Sequence, residues 1–197
     1  MMTRGRIEAF TDGVLAIIIT IMVLELKVPH GGSFADLMPL IPVFGSYLLS
    51  FIFIAIYWNN HHHVMQTVQH VTGGILWANM HLLFWLSLIP FSTGWVGENH
   101  FTSASVFLYA TILLFAAIAY HILQLTIIKS HGKHSILAQA LGKDLKGKAS
   151  MILYLLGISS SFFKVWISGI IFVIVAVIWL IPDKRIEKRL KNNHKTV

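Results

Sequence analysis

Eleven histidines are the first residues of this chain that could do chemistry. His61, His62, His63 and His70 lie close together, and imidazole nitrogens are common ligands of zinc, copper and iron. Successive residues of a helix point about 100° apart, so the triplet cannot converge on one ion. His63 could share a face only with Gln66 or His70. No carboxylate lies nearby in sequence to complete a ligand set, so the cluster reads as interfacial packing and hydrogen bonding, and no metal is expected. His81 and His121 fall inside apolar runs, where a titrating group is costly. They read as hydrogen-bonded structural residues rather than proton relays. The carboxylates are Glu8, Asp12, Glu25, Asp36, Glu98, Asp144, Asp183 and Glu187, with no evident acid–base pair among them. Cysteine is absent, which removes thiol nucleophiles, thiolate sites and disulfides. No phosphate-binding Gly-rich loop, Gly-x-Ser-x-Gly elbow or His-Glu-x-x-His pair occurs. The reading is of a protein that is not an enzyme and carries no cofactor.

The elements that hold these residues are apolar. Hydrophobic residues make up 56% of the 197 and charged residues 12%, against roughly a quarter charged in soluble domains. Mean hydropathy is +0.73. At about 20 residues per crossing, the chain is expected to be one all-α, polytopic membrane domain over residues 1–197, in contact with the lipid bilayer. Six transmembrane helices are expected, at 7–28, 37–60, 74–96, 103–128, 149–163 and 165–181. Ser159-Ser160-Ser161 shortens the apolar part of the fifth. A lysine-rich stretch at 136–148 should lie along the interface, and residues 183–197 should form a basic tail. The N-terminus superficially mimics a signal peptide, but no small-residue cleavage site follows the apolar run; it reads as a retained helix.

The net charge of +7 could suggest nucleic acid, but the basic residues fall in blocks between apolar runs. All but Lys27 and Lys164 of the 15 Lys and Arg residues lie at the N-terminus, in the fourth-to-fifth connection, or in the tail. The positive-inside rule then puts both termini in the cytoplasm of a multi-pass cell-membrane protein. No nucleic-acid partner is expected.

The first span is unusually polar, with Thr11, Asp12, Thr20, Glu25 and Lys27. Such a helix must be surrounded by protein or line an aqueous path. Helical spacing puts Ile17, Thr20, Ile21 and Leu24 on one stripe, with Gly13 at its edge. Asp12 points roughly opposite Ile17 and should meet a partner on neighbouring helices, His81 or Asn79. Periodicity alone leaves two readings of the stripe open, a helix-packing seam or the wall of a path. In a seam, Thr20 could bond back to its own helix without further role.

Arg6-x-x-x-Phe10-Thr11-Asp12-Gly13, followed by Ala16-Ile17-Ile18-Ile19-Thr20, resembles the signature of the transmembrane protein 175 family of potassium channels, in its prokaryotic single-repeat branch. Trp58-x-x-His61-His62, and Leu76-Trp77-x-Asn79 leading to Pro90-Phe91-x-Thr93, are similar to that family's pattern. Thr11 stands where the family usually has Ser, and His81 where an apolar residue is expected. The resemblance implies a homotetramer of six-helix subunits, with the first helix of each lining a central pore. It implies Ile17 at a hydrophobic constriction, Leu24 in an apolar ring further out, with Ile21 on the same stripe, and Thr20 at a hydroxyl layer favouring potassium. It also implies that Arg6, Phe10, Thr11 and Asp12 lock the first helix against the second and third, with Trp58, His61, His62, Asn79 and His81 as their possible partners. The function implied is a passive, weakly potassium-selective leak. The competing reading is a proton-coupled secondary ion transporter working through His81, His121 or Asp12.

Overall fold

The computed structural model describes residues 3–142 and 144–180; the basic tail expected at 183–197, and residue 181, lie outside them. The described chain is all-helical. Helix α1 (Arg4–Leu24) is followed by a 3-10 segment (Phe34–Leu40) that runs directly into α2 (Ile41–Met65). Then come α3 (Gly73–Ser87), α4 (Ile89–Glu98), α5 (Ser103–His131), the short α6 (Ile136–Leu141), α7 (Leu145–Ser161) and α8 (Val165–Leu180).

Among the described residues, four helical segments are long and apolar enough to cross a bilayer: Arg4–Leu24, Phe34–Met65, Gly73–Glu98 and Ser103–His131. At 17 residues, α7 extends about 26 Å, short of a ~30 Å hydrocarbon core; α8 is an apolar helix over Val165–Leu180, where the described residues end.

The expected spans are present as helices, with informative differences. The first ends at Leu24, and Glu25 is its C-cap. Glu25 and Lys27 therefore lie beyond the apolar segment, and Lys27 forms an ion pair with Glu98 at the end of α4. That carboxylate, through its hydrogen bond to the ammonium, holds the Lys27 pKa above its usual range. The second helix runs on through all three consecutive histidines to Met65, with Pro42 in its first turn, where a missing N–H costs nothing. The expected third helix is two, because Pro90 cannot donate to the carbonyl four residues back and its ring crowds that carbonyl. The break falls at Leu88, which ends α3 and caps α4. The stretch 136–148 is also divided: α6 stops at Gly142, which has φ +53°, and α7 starts at Leu145. Asp144 caps α7, its carboxylate accepting from the Gly147 N–H at 3.2 Å.

Helix α5 is the centre of the packing, lying against α3, α4, α6, α7 and α8. Ala110, Ala116 and Ala119 are fully buried on it, small enough to let neighbouring backbones approach. Gly97 serves the same purpose between α4 and α2, since a Cβ there would stand 2.7 Å from the Val43 Cα. Most interior polar groups are paired as a low-dielectric interior requires, with His63 Nδ1, His121 Nδ1 and Asp144 Oδ2 the buried side-chain atoms without a hydrogen bond among the described residues. Ser50 bonds Thr93 (2.7 Å) and Tyr109 (2.9 Å), and the Tyr120 hydroxyl donates to the Asn60 carbonyl (3.1 Å). The serine triplet explains itself in the same way. Ser159, Ser160 and Ser161 each bond back within α7, and Ser160 also meets Ser168 of α8 at 2.9 Å. Helix α1 lies on one flank, against α2, α3 and α4.

Candidate functional site

Helix α1 has two unlike faces. Ile7, Thr11, Leu15, Ile18 and Met22 are buried against the subunit, a spacing of three or four that makes one packing stripe. The other face carries Phe10, Gly13, Ile17, Thr20, Ile21 and Leu24, all exposed. Ile17 is 61% exposed and Ile18 beside it 3%. The four residues expected to act together do share one face, which the described subunit leaves largely uncovered, with Ile21 at its edge beside a groove against α4. The seam that packs α1 within the subunit is the other stripe.

Thr20 Oγ donates to the Ala16 carbonyl at 2.8 Å. The back-bond uses the hydroxyl proton, which leaves the oxygen lone pairs free to accept. Back-bonding thus turns an oxygen rather than a hydrogen toward the exposed face. Ile17 lies almost one turn below and Leu24 about one turn above. The face therefore alternates bulky aliphatic, hydroxyl oxygen and bulky aliphatic.

The buried face is fixed by a polar chain across three helices. Asn79 of α3 donates from Nδ2 to Thr11 Oγ (3.0 Å), and its Oδ1 meets His61 Nε2 of α2 at 2.8 Å. Thr11, His61 and Asn79 are each at most 3% exposed. Because the Asn79 oxygen accepts, the His61 Nε2 carries the proton. Asp12 does not join this chain. Its Oδ1 accepts from Trp58 Nε1 at 2.9 Å, and both side chains are exposed at the edge of the subunit. The expected partners Asn79 and His81 are both engaged elsewhere, since Trp85 Nε1 donates to His81 Nε2 at 3.0 Å. His81 is four residues from Trp85 on the same helix, the nearest donor its exposed position allows. Arg6 makes no side-chain hydrogen bond or ion pair among the described residues. Its neighbour Arg4 pairs with Glu8 (3.4 Å) and donates to the Gln66 carbonyl. Phe10 is half-exposed.

The histidines divide among separate partners. His62 bonds Gln66 (2.8 Å), the residue one turn on, so Gln66 is not shared with His63. His70 lies past the end of α2 and stacks on His131 of α5, with ring centroids 4.2 Å apart. Among the described residues no group of three His, Cys, Asp or Glu side chains is placed to hold a metal ion. One pairing escaped the sequence. His121 Nδ1 lies 3.1 Å from Asp144 Oδ2, an imidazole–carboxylate pair beside a small cavity between α2, α5, α7 and α8. Its members are 23 positions apart, and only the turn after α6 brings them together.

The family described as endosomal/lysosomal potassium channel TMEM175 matches residues 6–90. A potassium channel of a Chryseobacterium species is 57% identical over 98% of this chain and all of its own length. A potassium channel of Chamaesiphon minutus is 33% identical over 86% of this chain and 90% of its own. The crystal structure of a lysosomal potassium-selective channel TMEM175 homolog from Chamaesiphon minutus superposes with a TM-score of 0.80, at 31% identity, covering 91% of this chain and 97% of that one.

Proposed function

From the premise that this chain belongs to the TMEM175 potassium-channel family, we propose that it is a passive, potassium-permeable leak channel whose α1 helices line one pore in a homotetramer. It is a membrane protein and a channel rather than an enzyme. The observation that carries the reading is the uncovered stripe of α1, with Ile17, Thr20, Ile21 and Leu24 on a face that the subunit does not fill. One helix cannot enclose a path, and closed cyclic symmetry is the usual way to complete one.

In this reading each subunit crosses the bilayer six times, through the four long segments and the helices α7 and α8, with both termini cytoplasmic. Rings of Ile17 and Leu24 narrow the pore and hold water out, the mechanism of a dewetting gate. A ring of Thr20 oxygens between them replaces part of the potassium hydration shell. Four hydroxyl dipoles are fewer and weaker than a cage of backbone carbonyls, so selectivity over sodium is modest. The Thr11–Asn79–His61 chain and the Asp12–Trp58 bond hold α1 in register so that the rings align. Potassium is the transported ion, and no cofactor takes part.

The transporter reading draws limited support from one observation. Pro90 interrupts the hydrogen bonding of the third segment at Leu88, which keeps right-handed helical dihedrals; secondary transporters place stronger proline and glycine breaks around their ion sites. The two readings separate in proteoliposomes. A channel gives a reversal potential that follows the potassium and sodium gradients and does not move with a pH gradient. A proton-coupled carrier shifts with pH at fixed potassium.

A further inference from the structure

An open groove of about 340 Å³ lies at the C-terminal end of α5, between α5, α6 and the first turn of α7. Its wall is about half apolar, formed by Leu125 and Ile128 of α5 and Ala138 and Leu141 of α6, with His121 of α5 beside them. Its rim carries two ammonium groups, Lys133 just past the end of α5 and Lys148 in the first turn of α7. Both are exposed, and neither makes an ion pair or hydrogen bond among the described residues. The carboxylate at this groove, Asp144, is turned inward: Oδ2 lies against His121 and Oδ1 caps α7. Its residue is only 5% exposed, so the charge offered to a ligand is positive.

Depth gives the groove its meaning. Helix α5 has 29 residues and is about 44 Å long, against a hydrocarbon core of ~30 Å, so its last turns emerge into the headgroup region. Leu125, 49% exposed, lies about 9 Å along the helix axis below His131, the last residue of α5, at the level of the acyl chains. Cations at headgroup depth above apolar side chains match the order of groups in an anionic phospholipid. We propose that this groove binds one anionic phospholipid per subunit, its phosphate between Lys133 and Lys148 and an acyl chain along Leu125 and Ile128. A free inorganic anion would use only the lysines and leave the apolar side chains wet, so the lipid is the occupant. The channel reading enters only in assigning the site to the cytoplasmic leaflet.

The test is native mass spectrometry of the purified full-length protein released from equimolar phosphatidylglycerol and phosphatidylcholine, counting lipids retained per chain. Wild type should retain phosphatidylglycerol in preference, and millimolar inorganic phosphate should not displace it. Each lysine beside an anionic lipid contributes about a fivefold factor, so Lys133→Gln with Lys148→Gln should lower retention roughly 25-fold. Lys133→Arg should keep it. Lys129→Gln with Lys164→Gln removes the same charge outside the groove and should leave retention unchanged. Equal losses in the two double variants, displacement by phosphate, or no preference over phosphatidylcholine would overturn the site. The count is made per chain and without current, so it stands or falls separately from conduction and from the tetramer.

Discussion

Replacing Asn79 with Leu should loosen α1 from its subunit. The two side chains share one branched heavy-atom skeleton, but Leu is bulkier, so the loss of polar bonding is read against the same exchange at Asn59. Asn79→Leu removes two hydrogen bonds, at 2.8 and 3.0 Å, and strands His61 Nε2 and Thr11 Oγ in a dry interior. Stranding a buried polar group costs about 1–3 kcal/mol, while interhelical hydrogen bonds in membrane proteins average nearer 0.6 kcal/mol. Two such bonds therefore give roughly 1–6 kcal/mol, and about 2 kcal/mol, toward the membrane-protein end, is expected. For a chain of this size that lowers the melting temperature by about 4–8 °C. Thr11→Val loses only the 3.0 Å bond and should fall about half as far. Thr11→Ser keeps the hydroxyl and should melt with wild type. Thr11→Val and Asn79→Leu share a bond, so the double variant should lose less than the sum of the two. Thermal melting of detergent-purified protein reads all of these. Asn59, half-buried on α2 with no side-chain hydrogen bond among the described residues, supplies the control Asn59→Leu. The reasoning fails if Asn79→Leu melts with wild type, or if Thr11→Ser falls as far as Thr11→Val.

Three further outcomes are expected. Ile17→Ala or Ile17→Asn should raise the potassium leak in liposome flux, since a smaller or polar ring no longer excludes water; an unchanged leak would contradict the constriction. Thr20→Val keeps the shape but removes the oxygen ligand, so its reversal potential in asymmetric potassium and sodium should move toward the non-selective value, whereas Ile19→Val should not shift. Asp12→Ala removes the acceptor of the exposed Trp58 bond and should reduce assembly in native-lipid mass measurements while leaving the selectivity of assembled channels intact.

The sequence carried the broad design because its signals were local. Apolar run length marks each long helix, and helical spacing alone brings Ile17, Thr20, Ile21 and Leu24 to one face. The motif residues Thr11 and Asn79 are far apart in the chain, and only the family resemblance linked them. What stayed hidden depends on choices between near-equal partners. Asp12 lay within reach of several polar side chains, and its bond to Trp58 is decided by the packing of α1 on α2. Lys27 looked like an ionisable group inside a span, but the helix ends at Leu24, four residues earlier than hydropathy suggests, and Lys27 pairs with Glu98 beyond it. The sequence predicts the third span as one helix over 74–96, whereas Pro90 interrupts it at Leu88. The His121–Asp144 pair needs the turn at Gly142, which no periodic signal announces.

The central claim is that the uncovered face of α1 is the ion path. The natural chain contains no cysteine, so single cysteines can be introduced one at a time on a silent background. Potassium currents of Ile17→Cys and Ile18→Cys should be recorded before and after adding silver ion, which binds thiolate wherever water reaches it. The account predicts that Ile17→Cys currents are blocked, and that Ile18→Cys, on the buried face, conducts unchanged. Block at Ile18→Cys with Ile17→Cys insensitive would place the path on the other side of the helix and contradict it.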